Sequence, residues 1–161
     1  GNPITFLDYP DGELEITIEL KRQIVKKNRI VKPDVVITMD PTVVYSAANG
    51  IINHPDHRAA GQATLDAVFP LARDRLTFPE LLEQGFEPHK TPTLLMVNFN
   101  ESNFHVDITD SFDNKIAMLS QHTSQFGDIT GLSGWVRTMA EAQCKSAVYG
   151  LAEGFVRIDI R

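Results

Sequence analysis

Sulfur chemistry is nearly absent from this 161-residue chain, in which Cys144 is the one cysteine. An internal disulfide and a thiolate metal cluster are both excluded, and a lone thiol fits a reducing, cytoplasmic setting. No apolar run reaches the length of a membrane span. No segment repeats, and none is of low complexity. Excess positive charge is lacking too: Lys plus Arg number 15 against 21 Asp plus Glu, a formal net charge of −6. The densest basic run, Lys21-Arg22 through Lys26-Lys27 to Arg29, falls on an expected helix and reads as a solvated face. Nucleic acid is therefore not an expected partner.

What is present is an ordinary globular composition, 42% hydrophobic and 22% charged, which suits a single domain over residues 1–161. Apolar Leu14, Ile18, Leu20, Ile24 and Val25 recur among polar residues and predict an amphipathic helix over about 14–31, ended by Lys32-Pro33. Val35–Met39 is a continuous β-branched run, as expected of a parallel strand buried on both faces. A loop over 41–53 precedes a helix expected from an Asn53 N-cap to about Arg73. Further expectations are a short helical turn at Pro79–Leu82, a buried strand at Thr93–Phe99, and a helix over about 111–125. A last helix over Ser133–Tyr149 stops at Gly150, and an alternating strand covers Phe155–Ile160. Strands alternating with helices argue for an α/β fold with a mostly parallel sheet.

The chemistry concentrates in Asn53-His54-Pro55-Asp56-His57, at the mouth of a helix. Neutral imidazole and carboxylate are both zinc ligands. His54 and His57 are three apart and face one way on a helix, whereas Asp56 reaches His54 only where the backbone is not yet helical. A hydrolytic zinc site needs about three protein ligands and an open position. This segment supplies part of that set, and polar capping of a helix mouth is the plainer alternative. Asp40 closes the strand at 35–39, and ligands bind beyond the carboxyl ends of such strands. It is thus a candidate substrate-binding residue, or simply a turn-forming Asp before Pro41.

The neighbours of this segment carry a resemblance. The order Leu7-Asp8-Tyr9-Pro10-Asp11-Gly12-Glu13-Leu14, Lys32-Pro33-Asp34 through Asp40-Pro41, His54-Pro55-Asp56-His57-Arg58-Ala59-Ala60-Gly61, Val106-Asp107-Ile108-Thr109, Asp113, Lys115, His122-Thr123-Ser124-Gln125 and Glu153-Gly154-Phe155 spans almost the whole chain. It resembles the PIG-L/LmbE-like family of zinc-dependent N-acetylglucosaminyl deacetylases. The resemblance implies a Rossmann-like sheet flanked by helices, zinc as cofactor, an N-acetylated sugar or sugar conjugate as substrate, and a homo-oligomer. It implies that His57 is a zinc ligand, that His54 stabilises the oxyanion and acts as an acid, that Asp56 orients His54, and that Asp11 holds a sugar hydroxyl. His122 is expected to be structural.

The family's Ala-His-Pro-Asp-Asp segment, with two zinc ligands and the proposed base, has no counterpart in these 161 residues. The resemblance therefore implies a partial deacetylase domain lacking its first strands, with the missing N-terminal segment as a partner in cis or in trans. Two alternatives stand beside it. One is a non-catalytic Rossmann-like binding domain that lost its metal site. The other is an unrelated metal hydrolase drawing ligands from Asp40, His89, His105 or Asp107.

Overall fold

The computed structural model describes residues 4–126, 129–144 and 150–161. Two compact units emerge, one formed by residues 1–100 with 156–161 and the other by residues 101–155.

In the first unit, residues 4–17 run without regular secondary structure before helix α1, Ile18–Val31. The helix starts four residues later than the apolar spacing suggests, because the Thr17 hydroxyl caps it by accepting from the Leu20 amide at 3.1 Å. Leu14 lies in the extended stretch ahead of it. Strand β1, Val35–Met39, pairs in parallel with β4, Thr93–Val97, from Val35 opposite Thr93 to Met39 opposite Val97. Strand β4 has the buried centre expected of it. β1 does not: Val35 and Ile37 are 46% and 62% exposed, since β4 is its one strand neighbour among the described residues. The loop after β1 contains a small hairpin, β2 (Tyr45–Ser46) and β3 (Ile51–Ile52), turned at residues 47–50 with Gly50 at φ +62°.

Helix α2, Pro55–Asp66, packs on β1 and α1. It was expected to reach Arg73. Instead the chain leaves regular α geometry over Ala67–Leu71, where Phe69 is extended (φ −140°, ψ 118°). Pro70 explains this, because a proline drives the residue before it out of the α region. The short helix α3, Pro79–Glu83, appears as expected. Val25, Ala67, Ala72, Phe78 and Leu81 form the core of this unit.

The basic run on α1 is not a solvated face. Lys21 pairs with Asp66 at 2.7 Å, Arg22 pairs with Glu80 at 2.9 Å and covers the Phe78 ring, and Lys26 bonds Gln84. Arg29 is 1% exposed. Only Lys27 of the five faces solvent freely.

The second unit holds strand β5 (Phe104–Asp107), a 3₁₀ turn at Thr109–Ser111, and helices α4 (Phe112–Leu119) and α5 (Ile129–Ala142). Helix α4 is shorter than the 111–125 expected, and His122 falls in the turns after it. Helix α5 begins before Ser133, and the expected end at Tyr149 lies outside the described residues. Ile108, Phe112, Leu132, Val136, Ala140 and Leu151 form this unit's core. Strand β6, Ala152–Asp159, serves both units: its first half pairs antiparallel with β5 and its second half antiparallel with β4.

Candidate active site

The hairpin β2–β3 returns the chain to the sheet and fixes the residue before the histidines. Asn53 is 2% exposed. Its amide donates to the Val44 carbonyl at 2.9 Å and its side-chain Nδ2 to the Val43 carbonyl at 2.8 Å. Its own carbonyl accepts from the Arg58 guanidinium. Asn53 is thus an anchor rather than the N-cap expected from sequence. The cap is His54, in extended conformation (φ −57°, ψ 139°), with Pro55 in the first turn.

His54 Nδ1 accepts from the Asp56 amide at 3.3 Å. An Nδ1 that accepts leaves the proton of the neutral ring on Nε2, so Nε2 is a donor and not a ligand. The Asp56 carboxylate stands 3.9 Å from the same Nδ1, outside hydrogen-bond reach. That carboxylate is otherwise engaged. Oδ2 accepts from the Gly12 amide at 2.7 Å and Oδ1 from the Leu14 amide at 3.2 Å. The Gly12 hydrogen bond is the main reason the Asp56 carboxyl titrates below its ordinary value of 3.8, with the Leu14 amide and both imidazoles pulling the same way against partial burial.

Asp11, His54 and Asp56 each offer a ligand-type atom, and these atoms lie within 4.8 Å of one another. His57 is outside this trio, but its ring centroid is 5.6 Å from that of His54. Its imidazole is exposed and makes no hydrogen bond among the described residues. Asp40 is elsewhere: 4% exposed, it accepts from the Thr42 amide and hydroxyl at 2.9 and 2.6 Å and from Asn98 Nδ2 at 2.8 Å. It ties the loop after β1 to the end of β4.

His89 Nε2 bonds the Pro33 carbonyl at 2.9 Å, His105 Nε2 bonds Ser102 Oγ at 3.0 Å, and Asp107 accepts from Thr109. Among the described residues none of these joins a three-membered ligand group. Lys115 and Glu153, both part of the resemblance, form an ion pair within the second unit.

As a zinc site this donor set fits as one wall. His57 brings a free imidazole. His54 Nδ1 and both Asp56 oxygens are already committed to amides, and a catalytic zinc needs about three protein ligands. Sequence reasoning missed the amides of Gly12 and Leu14. The one available signal was the turn-forming Pro10-Asp11-Gly12, which marks a bend but not what the bend meets.

A sequence model of the GlcNAc-PI de-N-acetylase family, PIG-L, matches residues 2–68. The diacetylchitobiose deacetylase of Thermococcus kodakarensis is 31% identical over 150 residues, covering 92% of this chain and 54% of that protein. The N,N'-diacetylchitobiose deacetylase from Pyrococcus horikoshii, solved with its inhibitor MPG, superposes with a TM-score of 0.81 at 27% identity, over 95% of this chain and 56% of that one. The conserved protein TT1542 from Thermus thermophilus shares the fold, with a TM-score of 0.72 at 23% identity, over 96% and 65% of the two chains. The chain spans about half the length of the curated relative it matches.

Proposed function

The chain belongs to the PIG-L/LmbE-like family, and on that premise we propose that the intact protein hydrolyses an N-acetyl group from an amino sugar or sugar conjugate. The observation that carries this reading is the pairing of a free imidazole, His57, with a second imidazole, His54, whose Nδ1 is held as an acceptor. When bound, zinc lowers the pKa of water toward 7 and polarises the amide carbonyl. His57 would hold it, with the remaining ligands supplied from outside these 161 residues in cis or in trans.

The chain's own residues then divide the work. His54 presents Nε2–H to the oxygen that gains charge as the amide carbonyl is attacked. It is also the group placed to pass a proton to the leaving amine. Asp11, exposed and within 4.8 Å of both, accepts from a sugar hydroxyl. Asp40 ties the loop after β1 to the end of β4 through its bonds to Thr42 and Asn98.

The test loads the intact protein with zinc and measures acetate released from N-acetylglucosamine conjugates. His57→Ala is expected to lose both zinc and turnover. His54→Gln is expected to keep zinc and lose roughly 100- to 1,000-fold in kcat, the usual effect of removing an oxyanion donor. No acetate from the wild type, with zinc content unchanged in His57→Ala, would sink the proposal. A non-catalytic binding domain predicts the opposite, no zinc under any loading condition.

A further inference from the structure

Residues 9–14 carry no helix or strand, and among the described residues few bonds hold them. The Glu13 amide closes a turn on the Pro10 carbonyl at 3.3 Å. The others are the two bonds to Asp56, from Gly12 at 2.7 Å and from Leu14 at 3.2 Å. One carboxylate therefore clamps two alternate amides of the segment, one on each oxygen. Gly12 sits at φ +84°, a left-handed conformation that costs glycine little, and this lets the chain turn so that both amides converge. Asp11 immediately precedes the clamped Gly12 amide, with a carboxylate oxygen within 4.8 Å of ligand-type atoms of His54 and Asp56.

We infer that Asp56 is a latch: a positioning residue whose carboxylate fastens the 10–14 segment over the helix mouth, so that Asp11 and His54 share one site. Its purpose rests on the deacetylase reading, but the latch is a property of the fold. The same residue acts in two directions. Its backbone amide holds His54 Nδ1. Its side chain sets Asp11, 45 positions earlier in the chain. The first contact governs the reacting group and the second governs the sugar-binding group, so the two effects separate.

Asp56→Asn is nearly isosteric and leaves the backbone amide in place, but its Nδ2 cannot accept from a second amide. In the intact protein, hydrogen exchange of the Gly12 and Leu14 amides is expected to speed up by about tenfold or more, as for loss of a charge-assisted hydrogen bond. Amides of α2 and β1 should keep their protection. The Kd for N-acetylglucosamine, followed by NMR titration, is expected to weaken by about tenfold in Asp56→Asn and in Asp11→Ala. In the double variant it should weaken no further, because the two act through one contact. Unchanged exchange at Gly12 and Leu14 in Asp56→Asn would overturn the latch, and so would losses that multiply in the double variant. A wild type that releases no acetate would count against the proposed activity alone, since the exchange readout does not depend on turnover.

Discussion

Arg29 donates to the carbonyls of Ala72, Leu71, Asp74 and Thr77 from a position 1% exposed. It closes the irregular stretch that follows α2, where regular helical bonds have ended and carbonyls would otherwise lack donors. Arg29→Met keeps the apolar stem and removes the donors. Each buried acceptor left unpaired costs about 1–3 kcal/mol. With some carbonyls regaining water, urea unfolding is expected to show a loss of roughly 3–5 kcal/mol. A loss below about 1 kcal/mol would show that the guanidinium is not needed there. At this scale the identity of the reactive groups was legible in the chain, and little about their partners was. The two histidines were visible because their contact is local, three residues apart on a helix mouth. Arg29 looked like part of a solvated run because its acceptors lie 42 to 48 residues away. The same distance problem hid the Gly12 and Leu14 amides behind Asp56.

Helix α2 is the element that delivers the site, and its approach to β1 depends on one residue. A Cβ on Gly61 would stand 2.3 Å from the Met39 carbonyl oxygen and 3.2 Å from Pro41 Cδ. The obstacle is backbone, so it cannot swing aside. Gly61→Ala gains about 1 kcal/mol of helix propensity, but forcing α2 away from β1 costs about 1–3 kcal/mol and more when backbone must move. The expected result is a net lower Tm, with chemical shifts of His54 and His57 displaced because the helix carries both. A variant as stable as the wild type would show that α2 does not seat so closely. Element types were mostly legible: α1, β1, β4, α3 and β6 lie where periodicity or β-branched runs placed them. Boundaries moved where a single side chain decided them, as with the Thr17 cap at the start of α1 and Pro70 beyond the end of α2. Strand β5, Phe104–Asp107, is short, and only the fold reveals its pairing partner, Ala152–Phe155, which is remote in sequence.

Over the whole chain, metal binding is limited by the number of free donors. Among the described residues the site offers the His57 imidazole uncommitted, with Asp11 exposed nearby. Residues 1–161 by themselves are therefore expected to retain well under one zinc per chain after dialysis, as read by atomic absorption. Stoichiometric zinc would mean that His54 or Asp56 surrenders its amide partners to the metal. The sequence by itself determined the family, the α/β alternation and the chemical types at the helix mouth, because ordered motifs and periodicity are properties of the chain read in one dimension. Tertiary structure alone decided which of those groups meet. It placed Asp11 with His54 and Asp56 and turned Asp40 into a buried tie. Those outcomes depend on hydrogen bonds and close contacts between residues tens of positions apart, which local spacing does not encode.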